Sequence, residues 1–145
     1  MPVRRIHKEN TIWYRVTEVE DLFFYTLYKF KAYWVIGKIQ NRSANRIKNT
    51  LNIDLKGYDL QLRSTELLHF LYSHFAETKA NQRSIHFEDI KKLYQVINDF
   101  SFVSLGNKNN TILFETRFPN NLFQLVMDID HQRKVLFGKS FRIKN

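Results

Sequence analysis

Thr111-Ile-Leu-Phe-Glu-Thr-Arg-Phe118, Leu122-Phe-Gln-Leu-Val-Met-Asp-Ile129 and the run from Arg133 to Ile143 follow one another with only Pro119-Asn-Asn121 and Asp130-His-Gln132 between them. Connections this short leave no room for a crossover helix, so the three segments read as strands of an antiparallel meander. Phe102-Val-Ser-Leu105 adds a strand before them, ended by Gly106 and the turn cluster Asn107-Lys-Asn-Asn110. Gly138 marks a bend in the last strand.

Upstream of this block the pattern is mainly helical. Ser64 or Thr65 caps a helix over Glu66–Ala76, and residues 77–84 form a polar loop. Phe87–Ile97 carries Ile90, Leu93, Val96 and Ile97 on one stripe, with Glu88 and Asp89 in its first turn. Asp21 reads as the N-cap of a helix from Leu22 to about Tyr33, strand-like towards Tyr33-Trp-Val-Ile36. Ser43 reads as the cap of a short basic helix, Ala44–Leu51. Thr11–Thr17 and Tyr58–Leu62 read as short strands. Helices first and sheet second predict an α+β fold, with N-terminal helices packed on a C-terminal antiparallel β-sheet of about four strands.

The 145 residues are 43% hydrophobic and 15% aromatic, enough for one core and too little for two, so a single domain over 1–145 is expected. Cysteine is absent, which excludes disulfides, zinc fingers and thiol catalysis. The densest apolar stretch, Leu22–Ile36, is broken by Lys29 and Lys31 and is too short for a bilayer, so no membrane partner is predicted. Residues 1–10 lack the apolar core of a secretory signal.

Lys+Arg number 23 against 14 Asp+Glu, a net charge of +9, and the excess is blocked. Between Asp21 and Asp54 there is no acid, yet Lys29, Lys31, Lys38, Arg42, Arg46 and Lys48 fall there. Arg133, Lys134, Lys139, Arg142 and Lys144 form a second block without acids. Two basic surfaces predict a polyanion partner, held by release of the counterions around phosphates. A merely solubilising surface is the competing reading.

No nucleotide-binding glycine loop, zincin motif or nucleophile elbow is present. The five histidines, 7, 69, 74, 86 and 131, lack metal-ligand spacing, so neither a metal nor another cofactor is predicted. Histidine with Arg, Lys and Ser is the set needed to cleave RNA without a metal. A base takes the proton of a ribose 2′-OH, cations stabilise the charge on phosphorus, and an acid protonates the leaving oxygen. His69 and His74 sit about 140° apart around their helix axis. His74 falls on the apolar arc with Leu67, Leu71 and Phe75, where a hydrogen-bonded core histidine is the simpler reading; His69 falls on the open side. His86 belongs to the next helix entry and His7 to the start of the chain. On the last strand, Ser140 and Arg142 share one face and can grip a phosphate, with Lys139, Phe141 and Ile143 on the other. A charged edge strand would look the same.

Ile36-Gly-Lys-Ile39, Ile53-Asp-Leu-Lys-Gly-Tyr58, Leu68-His-Phe-Leu-Tyr-Ser-His-Phe75, Ile85-His-Phe-Glu-Asp-Ile90 and Leu136-Phe-Gly-Lys-Ser-Phe-Arg142 occur in an order that resembles the phage-associated nuclease domains of the barnase–EndoU–colicin–RelE-like superfamily. The resemblance covers about residues 36–143 and leaves 1–35 as an N-terminal extension. It implies a helical front half, then a four-stranded sheet bearing the active face. It implies an endoribonuclease of phage or mobile-element origin, a toxin or effector forming a 2′,3′-cyclic phosphate on RNA, with tRNA one candidate. His69 and His74 match the helix histidines, Ser140 matches the hydroxyl of the closing strand, and Lys139 and Arg142 adjoin it. An immunity or antitoxin protein would be the cognate partner, and the cytoplasm of a bacterial host, reached by phage delivery, the place of action. Two departures, Phe75 for a glycine and Ser140 for the commoner threonine, keep open a non-catalytic RNA- or DNA-binding module or an inhibitor of host defence. In either reading Lys29, Lys31, Lys38, Arg42, Arg46, Lys48, Arg133 and Lys134 are the expected nucleic-acid contacts.

Overall fold

Along Asn121–Asp130, Phe123, Leu125, Met127 and Ile129 are buried while the residues between them are only partly so. This period of two makes the segment a strand with one face on the core. The computed structural model describes residues 3–5, 12–76 and 82–145, with side chains for 13–71 and 82–145. In chain order the elements are β1 (Val3–Arg5), β2 (Ile12–Val16), α1 (Val19–Leu27), β3 (Ala32–Lys38), α2 (Asn41–Leu51), β4 (Asp59–Arg63), α3 (Ser64–Ala76), β5 (Gln82–Arg83), α4 (Phe87–Ile90), α5 (Leu93–Asn98), β6 (Phe102–Leu105), β7 (Thr111–Phe118), β8 (Asn121–Asp130) and β9 (Val135–Lys144).

All described strands join one sheet, in the order β1-β2-β3-β4-β9-β8-β7-β6, with β5 also on β9. The α+β expectation of N-terminal helices on a four-stranded antiparallel C-terminal sheet is therefore corrected. β6 to β9 do form the antiparallel meander, but the sheet is about twice as wide and mixed. β2 runs parallel to β3, and β4 parallel to β9, with Asp59 beside Val135. Strands and helices also alternate through the first half instead of segregating. β1 to β4 pair in chain order, β2 with β3 and β3 with β4 across an intervening helix, while β4 and β5 pair with the distant β9, relations that no local turn announces.

The helices cover one face. Leu22 of α1, Ile47 of α2, Leu67 and Phe70 of α3, Ile90 of α4 and Val96 of α5 share one hydrophobic cluster with Leu60, Leu62, Phe114, Phe123, Phe141 and Ile143 of the strands. Val16, Val19 and Ala32 belong to the same cluster, so residues read as an extension also line the core. No helix among the described residues is long and apolar enough to cross a membrane.

Several boundaries differ from the sequence reading. Asp21 lies in the first turn of α1 and is not its cap; the helix ends at Leu27, and Lys29 takes a left-handed turn (φ 59°) into β3. The run Tyr33-Trp-Val-Ile36 is rich in aromatic and β-branched side chains, which favour a strand once a neighbour is available. Ser43 is buried inside α2, where its hydroxyl donates to the Asn98 carbonyl at 2.7 Å and pins α2 to α5. The single helix expected over 87–97 is two, α4 and α5, tightened at Lys91-Lys92, where the Lys92 N–H reaches Asp89 only three residues back. The polar loop lies largely at 77–81, outside the described residues.

Candidate active site

The face of the sheet away from the helices carries the polar side chains of the central strands. β9 shapes it through a bulge. Ser140 stands opposite Val126 of β8 but Gly138 stands opposite Met127, so Lys139 is an extra residue without its own partner. Such an insertion shifts the alternation by one. Leu136 and Gly138 face the core before it, Phe141 and Ile143 after it. Lys139 and Ser140 consequently join Arg142 on the open face, whereas regular alternation would have sent Lys139 to the covered side with Phe141.

Gly138 lies just before the bulge. A Cβ there would come within 2.9 Å of Leu62 Cδ1, so glycine lets α3 and β4 close over this point without displacing the Leu62 side chain. Lys139, Ser140 and Arg142 line a cavity of about 420 Å³ together with Asn107, Lys108 and Thr111 from the end of β6 to β7, and Gln124 and Val126 of β8. Lys139 Nζ lies 3.3 Å from Asp128 Oδ1, which fixes the ammonium beside Ser140. Gln124 donates to Glu115, and Thr111 Oγ1 donates to the Lys108 carbonyl at 2.6 Å. Ser140 and Arg142 have no side-chain hydrogen-bond partner among the described residues and stand open to a ligand.

The helix histidines stand differently. His69 is exposed on α3, whose Phe70 packs against Phe141 (5.8 Å between ring centroids) on the covered face. It is not among the described residues lining the cavity. The side chain of His74 lies outside the described residues, as does His7. On the β4 side, β9 is paired at 135–137 by β4 and at 143–144 by β5. Residues 138–142 have no strand there among the described residues, and α3 leaves β4 beside this gap. His86 caps α4, its N–H donating to Asp89 Oδ2 at 2.8 Å. His131 Nδ1 is 2.7 Å from the Tyr58 hydroxyl, whose pKa is pushed up by burial and then by Asp54 and Asp130.

Asp89, in the Glu-Asp-Ile stretch of the resemblance, is structural. Both its oxygens take hydrogen bonds from the Arg83 guanidinium, at 2.7 and 2.9 Å. Burial pushes this carboxyl up, but Arg83 and the His86 N–H outweigh it and hold it below its ordinary value. The pair ties β5, on the edge of β9, to α4.

The basic blocks are dispersed by the fold. Lys29 is exposed in the turn after α1. Lys31 lies over the Trp13 ring at 5.7 Å, and Lys38 pairs with Asp59 at 3.2 Å, both on the open side. Arg42, Arg46 and Lys48 belong to α2 on the covered side. There Arg42 pairs with Asp99 at 2.8 Å, Arg46 stacks on Phe100 at 3.9 Å, and Lys48 donates to Asn52 at 3.1 Å. Arg133 and Lys134 sit in the β8–β9 turn, with Arg133 Nε 3.8 Å from Asp130. At about 3.3 Å per strand residue, Lys134 is roughly 20 Å from Ser140.

Residues that the sequence reading passed over complete the open face. Trp13, Tyr33, Val135 and Phe137 are buried yet stand apart from the main hydrophobic cluster. The Arg63 guanidinium lies 3.9 Å from the Phe137 ring and 5.5 Å from Trp13, and burial pushes its pKa down. Lysine next to serine just after a glycine was the available signal for the bulge; nothing local announces that Arg63 meets Trp13 and Phe137.

No curated protein and no solved structure matches the chain. The family model described as phage-Barnase-EndoU-ColicinE5/D-RelE like nuclease 3 matches residues 37–145, which include α3, β9 and every residue lining the bulge cavity. By that match over most of its length, the chain belongs to this phage-associated nuclease family.

Proposed function

We propose that the protein is a metal-independent endoribonuclease that cuts RNA on the open face, with tRNA as the first substrate to try and a toxin or effector role in the host. The observation that carries this reading is the bulge, which brings Lys139, Ser140 and Arg142 into one cavity. Arg142 and Lys139 supply charge to the non-bridging oxygens, where it counts most as the phosphorus gains electron density. Ser140 donates its hydroxyl to the same group. The 2′-oxygen attacks phosphorus as a base removes its proton; the bond to the 5′-oxygen breaks as an acid protonates that oxygen. The products are a 2′,3′-cyclic phosphate and a 5′-hydroxyl. His69 and His74 are the groups proposed for proton transfer, because an imidazole can both take and give a proton and α3 departs beside the gap in the β9 edge.

Incubation with total tRNA in EDTA tests this: fragments ending in a cyclic phosphate are expected from the wild type and none from Arg142→Ala. A protein that binds RNA and leaves it intact sinks the reading. A specific observation favours the non-catalytic alternative, since α3 packs on the covered face while Ser140 and Arg142 point the other way. That module would bind RNA with a steep salt dependence and unchanged affinity in His69→Ala.

A further inference from the structure

The open face has a second cavity, of about 310 Å³, lined by Arg15, Tyr33, Val35, Gly37, Lys38, Asp59 and Gln61 on β2, β3 and β4. Their middle strands, β3 and β8, are three strands apart, so the two cavities are roughly 15 Å apart across the sheet. Arg15, Tyr33 and Val35 precede the residues matched to the nuclease family, whereas Gly37, Lys38, Asp59 and Gln61 lie within them.

Tyr33, which lines it, and Trp13 and Arg63, which lie beside it without lining it, bury polar atoms in an unusual way. Tyr33 is 2% exposed, yet its hydroxyl has no hydrogen-bond partner among the described residues. The same is true of Trp13 Nε1 and Arg63 Nε. These residues adjoin one another: Tyr33 pairs in register with Arg63, whose guanidinium lies over Trp13. Buried donors without acceptors are costly, and two of these three atoms can only donate. The cavity itself offers both kinds of group, an amide at Gln61 and the carboxylate of Asp59, held on one oxygen by Lys38 at 3.2 Å, around the apolar Val35 and Gly37. A phosphate would suit a site of donors alone. A planar ring with carbonyl and amino groups on its edge suits this one.

We propose that the β2–β4 cavity is a base-reading subsite, in which a nucleobase on the same strand as the cleaved bond accepts a hydrogen bond from the Tyr33 hydroxyl and presents its edge to Gln61. The inference rests on the nuclease reading for the identity of the bound strand. It adds that the strand runs across β9 and β4 to β3, and that the N-terminal strands give the enzyme its base preference.

The test uses the full chain and four fluorescein-labelled homopolymeric RNA oligonucleotides, 2′-O-methylated on every ribose so that they cannot be cut. Fluorescence anisotropy gives each affinity. The wild type should prefer one base, and Tyr33→Phe should lose that preference, weakening the preferred oligonucleotide about tenfold, the effect of one lost hydrogen bond to a ligand. Because the hydroxyl has no partner in the protein, the melting temperature of Tyr33→Phe should not fall. Gln61→Ala, at a partly exposed position, provides a second variant with the same expected loss. Wild-type affinity and preference in both variants overturn the subsite, even if the protein cuts tRNA. Base-selective, Tyr33-dependent binding by a protein that never cuts RNA keeps the subsite and removes the nuclease reading.

Discussion

The two halves of the open face hold their polar groups in opposite ways. In the β7–β9 half, Thr111 is tied to Lys108, Gln124 to Glu115 and Lys139 to Asp128. Ser140 and Arg142 are left for a ligand on a scaffold that is otherwise satisfied. In the β2–β4 half, Lys38 is tied to Asp59, but Tyr33, Trp13 and Arg63 each bury a polar atom without a partner. The first half spends its hydrogen bonds on its own geometry, as a reacting centre must, because a misplaced group loses rate. The second leaves them open, as a recognition surface can.

That difference also marks what the amino-acid sequence could tell. Thr111–Phe118 and Leu122–Ile129 were legible because a turn of two or three residues dictates their pairing. Ser140 and Arg142 were legible as a pair because they stand two apart on one strand. The face of Lys139 could not be read, since the extra residue of β9 shows only in its pairing with β8, Ser140 opposite Val126 and Gly138 opposite Met127. Tyr33-Trp-Val-Ile36 was ambiguous because its apolar run suits either a buried helix or a strand. The Trp13–Arg63–Phe137 stack joins β2, β4 and β9 and leaves no local trace.

The contrast can be broken most sharply by chemistry. Arg142→Ala and Ser140→Ala should each lower single-turnover cleavage by about a hundredfold or more, the usual cost of losing one preorganised donor to a developing anion. Their melting temperatures should stay at the wild-type value, as neither side chain has a protein partner to lose.

Asp89→Asn should cost about 3 kcal/mol in denaturant unfolding, because it leaves Arg83 facing a neutral amide where a buried bidentate pair stood. The Asp89 carboxyl titrates below its unfolded value of about 3.9, so its contribution is present above that pH and is lost as pH falls towards the lower folded value. Acid unfolding of the wild type should therefore include a loss of stability below about pH 4, reduced in the variant.

Gly138→Ala should cost about 1–3 kcal/mol by overpacking against Leu62, and should lower cleavage as Lys139 and Ser140 shift. The smallest effects sharpen the comparison most directly. Thr111→Val removes a satisfied, buried hydroxyl and should cost about 1 kcal/mol, whereas Tyr33→Phe removes an unsatisfied one and should cost about nothing. Equal losses in thermal melts of the two variants would erase the distinction between the halves.

The place of β9 bears on how the molecule comes into being. β8 and β4 flank this strand, yet it follows both of them, and every other element, in the order of synthesis. The two halves of the sheet therefore remain unjoined on the ribosome until residues 135–144 have emerged, and long-range parallel pairing such as β4 with β9 is slow to form. Ser140 and Arg142 arrive in the same segment that joins the halves. A nascent chain thus carries no assembled phosphate grip until the strand that joins its two half-sheets has emerged.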